Sequence, residues 1–164
     1  MRLFLASFAT IPEYAFLQKE FEHSLEGKWV EPENLHYTLW FFGQQQESES
    51  IIKKLRQIHF PHQRGIIQGL GIMGGGHRKI LYAKLRHNPY KKSLQALGEC
   101  FGMPRRPFNA HVTLLRIKRK NGDDYHKILR AWRHREIGFT HGQVALISSQ
   151  ITETGPIYTP LVYF

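Results

Sequence analysis

Two segments, His36-Tyr37-Thr38-Leu39 and His111-Val112-Thr113-Leu114, repeat one pattern in the two halves of the chain. Each sits in an apolar run with the composition of a buried β-strand. Side chains two apart on a strand share a face, so His36 stands beside Thr38 and His111 beside Thr113. The repetition constrains the fold strongly, because it asks for two related halves that each deliver one histidine. An isolated histidine on an apolar strand is usually a satisfied core residue. Two at matched positions form a pair in which one accepts a proton while the other donates one. A threonine hydroxyl on the same face can donate a hydrogen bond to a phosphoryl oxygen. Two such pairs converging would hold a phosphate between them.

The rest of the chain supplies a scaffold for these strands. Residues 1–8 read as a first strand, and Thr10-Ile11-Pro12-Glu13 has the form of a capping box. Its helix is expected to run to about Ser24, with Phe16, Leu17 and Phe21 inward. A strand from His36 to Phe42 is closed by Gly43, and Ile51, Ile52, Leu55 and Ile58 lie at helical spacing. A hairpin follows, with strands over 65–73 and 79–85 and a turn at glycines 74–76. Asn88-Pro89 starts a helix carrying Leu94, Leu97 and Phe101, ended by Gly102. In the second half come a strand over 111–117 and a helix capped by Asp123 or Asp124. That helix carries Tyr125, Ile128, Leu129 and Trp132, and strands near 143–149 and 158–164 follow. This order predicts an α+β fold with mostly antiparallel sheets.

Charge narrows the partner class. The 164 residues hold 23 Lys and Arg against 13 Asp and Glu, a net charge of +10, which favours polyanions. The basic runs 116–120 and 130–135 are candidates for the rim of an RNA groove, or equally for solvated faces. Arg116 could bind phosphate oxygens with its guanidinium. Strand alternation sends it to the face opposite His111 unless a bulge intervenes. Tyr37, Trp40, Phe41 and Phe42 read mostly as core, although an aromatic at the rim could stack a base. Ten histidines raise the question of zinc, but their spacings lack a metal-site pattern, so no metal and no cofactor are expected. Gly74-Gly75-Gly76-His77-Arg78-Lys79 lacks the spacing of a phosphate-binding loop and reads as a turn. Cys100 is the single cysteine; it fits a packed thiol and a reducing cytoplasm. No apolar run is long enough to suggest a membrane partner.

The ordered motifs resemble a known family. They are Met1-Arg2-Leu3-Phe4, then Trp29-Val30-x-Pro32-Glu33-Asn34-Leu35-His36-x-Thr38-Leu39-x-Phe41-x-Gly43. Phe108-x-x-His111-Val112-Thr113-Leu114-x-Arg116 and Ser149-x-x-Thr152-x-x-Gly155-x-x-Tyr158 follow. Together they resemble the two-histidine (2H) phosphoesterases, and among these the bacterial and archaeal RNA 2′,3′-cyclic phosphodiesterases, also called 2′-5′ RNA ligases. The resemblance implies that residues 1–164 form a single bilobed domain. In it two related α+β lobes, with mostly antiparallel sheets and helices outside, meet about a pseudo-twofold axis at a central cleft. It implies metal-independent hydrolysis of an RNA or nucleoside 2′,3′-cyclic phosphate to a 2′-phosphate. His36 would be the general acid on the leaving 3′ oxygen and His111 the base that activates water. Thr38 and Thr113 would hold phosphoryl oxygens, with Arg116 as an auxiliary phosphate ligand. The expected partner is RNA or a nucleotide with a cyclic phosphate end, and the expected state is a monomer with no obligate protein partner. Two alternatives stay open at this stage. One is 2′-5′ RNA ligation, the reverse reaction at the same site; the other is a basic RNA-binding module without turnover.

Overall fold

A computed structural model describes residues 1–102 and 109–164. Phe108, part of the second motif, lies outside the described residues. The elements run β1 (Arg2–Thr10), α1 (Tyr14–Phe21), β2 (Leu25–Trp29), β3 (His36–Gln44), α2 (Glu49–Leu55), β4 (Ile66–Met73) and β5 (Ile80–His87). They continue α3 (Lys91–Phe101), β6 (His111–Lys120), α4 (Tyr125–Ala131), β7 (Glu136–Thr140), β8 (Ala145–Thr152) and β9 (Gly155–Tyr163). The α+β class and the antiparallel pairing follow the expectation. No helix among the described residues is long and apolar enough to cross a membrane.

The strands fall into two groups, β3-β1-β8-β9 and β2-β6-β5-β4-β7. The two sheets expected from the sequence are joined into one hydrogen-bonded network. A single pair, Tyr37 opposite Val112, connects β3 to β6. On the far side β7 pairs with β4 and also, through Thr140 and Phe139, with Ala9 and Thr10 of β1. The circuit β1-β3-β6-β5-β4-β7 therefore closes on itself, through one rung between β3 and β6 and two between β1 and β7.

Alternation sorts the side chains. Leu3 and Leu5 of β1, Leu39 of β3, Leu81 of β5 and Val112 and Leu114 of β6 enter one core with the buried faces of the helices. Tyr14, Leu17 and Phe21 of α1, Leu97 of α3 and Trp132 after α4 complete that core. On the other side of the first strand group Phe4, Ala6, Ala145 and Ile147 form a smaller cluster with Phe8 and Tyr158. The histidines lie on this second side, away from the helical layer.

Three local expectations need correction. Thr10 is the last residue of β1 rather than a helix cap, and α1 starts later, with Glu13 at its N-cap and no side-chain capping bond. That start places Tyr14, Leu17 and Phe21 inward and leaves Phe16 51% exposed. Strands β2 and β7 are additions to the expected set. Each is five residues long with a central glycine, which reads in a sequence as a breaker. Here the glycine is required by close backbone approach: a Cβ on Gly27 would lie 2.0 Å from the Arg116 carbonyl oxygen, and one on Gly138 2.2 Å from that of Thr10.

The decisive local feature is a β-bulge repeated in both motif strands. Tyr82 pairs with Thr113 but Leu81 pairs with Leu115, leaving Leu114 as an extra residue of β6. Ala6 pairs with Thr38 but Leu5 pairs with Trp40, leaving Leu39 extra in β3. One extra residue reverses the alternation beyond it. The Leu114 carbonyl is held by the Val30 N–H (2.8 Å) and by the Tyr14 hydroxyl (3.2 Å), which also donates to the Val30 carbonyl (2.7 Å). Burial and the nearby Glu31 carboxylate push the Tyr14 phenol well above its ordinary value, so it stays a donor. Tyr14→Phe is expected to cost about 1–2 kcal/mol and to lower the melting temperature by roughly 2–8 °C. An unchanged urea midpoint would show that the hydroxyl does not secure the bulge.

Candidate active site

The pair Tyr37–Val112 sets the geometry of the site. Extending that antiparallel register by one residue each way places His36 across from Thr113 and Thr38 across from His111. Tyr37 and Val112 point into the core and are fully buried, so their neighbours point to the opposite face. Below the seam, Tyr37 stacks on Tyr90 with ring centroids 6.3 Å apart, and its hydroxyl accepts a bond from Asn88 Nδ2 at 3.1 Å. The four motif residues thus meet on one face above a rigid apolar floor.

Both imidazoles are held in the same way. His36 Nδ1 lies 2.7 Å from the Asn34 carbonyl oxygen, and His111 Nδ1 lies 2.6 Å from that of Asn109. A carbonyl only accepts, so each Nδ1 carries the proton and each Nε2 is left for proton exchange. The Asn34 amide also donates to the Pro156 carbonyl at 3.3 Å, tying the segment before His36 to β9. The proton affinity of His36 is lowered from its ordinary value. Desolvation is the largest cause, the charges of His111 and Arg116 add to it, and the bond to Asn34 opposes it.

The bulge at Leu114 answers the question of Arg116. Arg116 pairs with Ile80, two residues from Tyr82 on the same strand, and Tyr82 pairs with Thr113. Arg116 therefore shares the face of His111 and Thr113, and the strict alternation expected for this strand does not hold. By the same arithmetic Phe41, paired with Phe4, shares the face of His36 and Thr38. Phe41 is 59% exposed, against the expectation that it is mostly core. Among the described residues Arg116 makes no ion pair, and the Thr38 and Thr113 hydroxyls make no hydrogen bond. These donors remain free for a ligand.

The two halves of the face differ in chemistry. Opposite His36, Thr38 and Phe41 stand Phe8, Ala6 and Phe4. Opposite His111, Thr113 and Arg116 stand Lys84, Tyr82 and Ile80. Phe4 gathers His36 (5.1 Å between centroids), Phe41 (5.9 Å) and Tyr158 (5.2 Å), and Tyr158 meets His36 edge-on at 5.3 Å. Among the described residues His111 has one aromatic neighbour, Tyr82, at 5.8 Å. One half is thus an aromatic wall and the other carries the cation.

His36, His111, Thr38, Thr113 and Arg116 are brought together. The basic run 130–135 is not: it ends α4 and the turn after it, where Trp132 is buried and Arg135 lies over its ring at 4.0 Å. The triple glycine forms the turn between β4 and β5, as expected. Among the described residues no group of three or more His, Cys, Asp or Glu could hold a metal ion. Sequence reasoning missed the backbone carbonyls that orient the imidazoles. Asn precedes each histidine by two positions, in the repeat Asn-x-His-x-Thr-Leu, but the bonding atom is a backbone carbonyl that every residue carries, so residue type gives no signal for it. It also missed the aromatic wall, which draws on β1, β3 and β9.

Comparison with known proteins points to one family. The pattern of the LigT-like phosphoesterase family matches residues 10–77. An RNA 2′,3′-cyclic phosphodiesterase of Aquifex aeolicus is 34% identical over 163 residues, covering 90% of this chain and 86% of that protein. One of Aeropyrum pernix is 32% identical over 151 residues, covering 82% of this chain and 83% of the relative. Among solved structures, TT0787 of Thermus thermophilus superimposes with a TM-score of 0.68 at 26% identity, covering 100% of this chain and 97% of that one. Escherichia coli LigT complexed with 3′-AMP has the same fold, with a TM-score of 0.70 at 21% identity over 99% of this chain and 96% of its own. Matched across nearly its whole length, and carrying both histidine strands at one seam, the chain belongs to the LigT-like phosphoesterase family.

Proposed function

We propose that the protein hydrolyses 2′,3′-cyclic phosphate ends of RNA or nucleotides to 2′-phosphates, with His36 and His111 as its acid and base. The observation that carries this reading is the matched tethering of the two imidazoles: each spends Nδ1 on a backbone carbonyl and keeps Nε2 for chemistry. The names of the Aquifex aeolicus and Aeropyrum pernix relatives support the substrate class. The site draws residues from both strand groups, so the whole chain acts as one unit and neither half is complete alone.

In this mechanism His111 Nε2 takes a proton from water as the water oxygen bonds to phosphorus. The P–O3′ bond breaks, and the departing oxygen takes a proton from His36 Nε2. Thr38 and Thr113 donate to the non-bridging oxygens, and Arg116 balances their growing charge. His36 is the acid because it stands within the aromatic wall, where the terminal base stacks on Phe41 and brings the ribose 3′ oxygen to its side. No step requires a metal.

Three outcomes test the reading. In the presence of EDTA, His36→Ala and His111→Ala are each expected to lower kcat roughly a hundred- to ten-thousand-fold on nucleoside 2′,3′-cyclic phosphates. Full activity in either variant, or a 3′-phosphate product, would sink the assignment. Phe41→Ala is expected to raise KM by roughly five- to a hundred-fold through lost stacking, with kcat nearly unchanged; an unchanged KM would remove Phe41 from the base site. The third concerns protons. In the free protein burial above all, and the nearby Arg116 guanidinium, keep His36 below its ordinary value. A bound phosphate dianion opposes the Arg116 charge and raises the proton affinity of His36, so affinity should strengthen as pH falls from about 7 through the bound-state value. Calorimetry of a 2′-nucleotide at about pH 6.5, the ordinary histidine value, in buffers of different ionisation enthalpy, should therefore register proton uptake that His36→Gln lacks. Equal uptake by both proteins would assign the proton elsewhere.

A further inference from the structure

Arg116 is not alone on its rung. β2 pairs with β6 so that Lys28 lies opposite Arg116. Paired residues of an antiparallel ladder point to the same side, so Lys28 shares the face of His111, Thr113 and Arg116. Its ammonium reaches toward the β8–β9 turn, where a Cβ on Gly155 would lie 3.3 Å from Lys28 Nζ. Three residues beyond that glycine is Tyr158, which touches the His36 ring edge-on. On its other flank, Arg2 pairs with Ser149 of β8, and Ser149 pairs with Tyr158 of β9. Arg2 is thus on the same face, two strands away from Tyr158. The Tyr158 phenol, raised chiefly by burial, feels the opposing charges of both Arg116 and Arg2. Among the described residues Arg2, Lys28 and Arg116 take part in no ion pair.

A cyclic mononucleotide presents one phosphoryl group, which Arg116 and the two threonines can serve. Two further unpaired cations flanking Tyr158 exceed that need. An RNA chain end differs from the mononucleotide in having a phosphodiester on the 5′ side of its terminal nucleotide. Like-charged side chains gathered on one face without acidic partners are stabilised when such an anion lies between them.

We infer that Lys28 and Arg2 bind the phosphodiester on the 5′ side of the terminal nucleotide and so make the enzyme prefer RNA chain ends to free cyclic mononucleotides. The inference rests on the hydrolase reading above, and extends it from the reacting phosphate to the chain behind it.

The test compares adenosine 2′,3′-cyclic phosphate with a short oligoribonucleotide ending in the same group. Both are assayed with the unsubstituted protein, Lys28→Ala, Arg2→Ala and the double variant. Lys91→Ala on α3 serves as a control for loss of charge alone, and melting curves verify that each variant is folded. The expected kcat/KM of the unsubstituted protein is about tenfold or more higher for the oligonucleotide. The double variant should lose most of that preference while its mononucleotide value stays within about twofold. Its salt dependence on the oligonucleotide should flatten by about 0.7 log units per log unit of salt, the share of the one phosphodiester that the two cations bind. Equal losses on both substrates, or no preference in the unsubstituted protein, would overturn the inference and leave the hydrolase reading standing. Turnover of neither substrate by the unsubstituted protein would overturn both.

Discussion

One rung of sheet, Tyr37 opposite Val112, is the constraint on which the rest of the molecule depends. Among the described residues it is the one pairing between the two motif strands, yet it sets His36 beside Thr113 and Thr38 beside His111. Its stability comes from below rather than from the ladder itself. Both side chains are fully buried, and Tyr37 stacks on Tyr90 in a close-packed interior that resists sliding. A slip of one residue would turn both histidines into the core and both leucine rows into water. The apolar floor thus does the positioning, and the polar groups above it need only be present.

The bulges at Leu39 and Leu114 turn this symmetric frame into an asymmetric site. Each adds a residue at the same place after the His-x-Thr pair, and each brings the second residue beyond it onto the face of the histidines. In β3 that residue is Phe41; in β6 it is Arg116. The equivalent positions therefore hold a ring and a guanidinium, and the rows beside them follow suit, with Phe4 and Phe8 on one side and Lys84 on the other. A nucleotide has the same division between an apolar base and an anionic phosphate. The difference between the two halves of the site comes from what the bulges expose.

Much of this is legible in the residues alone. The His-x-Thr strands, the β4–β5 hairpin and α3 with its Gly102 end all have strong local signals: alternation, a glycine turn, and helical spacing closed by a residue with φ of 93°. The five residues that the motifs single out do meet on one face. The elements that escape a sequence reading are those whose reason is not local. Gly27 and Gly138 look like strand breakers until the carbonyls of Arg116 and Thr10 are found pressed against them. Phe16 looks like a core residue until the helix is seen to start at Tyr14 and rotate it outward. The face of Arg116 depends on a bulge whose carbonyl is secured by a tyrosine far away in the chain, Tyr14.

The sequence by itself determined the chemistry available: two histidines, two hydroxyls and an excess of positive charge, on strands whose period-2 pattern assigns each residue a side. That much follows from side-chain type and backbone geometry, which are local properties. The tertiary structure decided which of those residues face one another, which nitrogen of each imidazole is free, and which half of the site is aromatic. Those depend on register, bulges and the approach of distant carbonyls, and such relations exist only once the two strand groups have packed onto a common core.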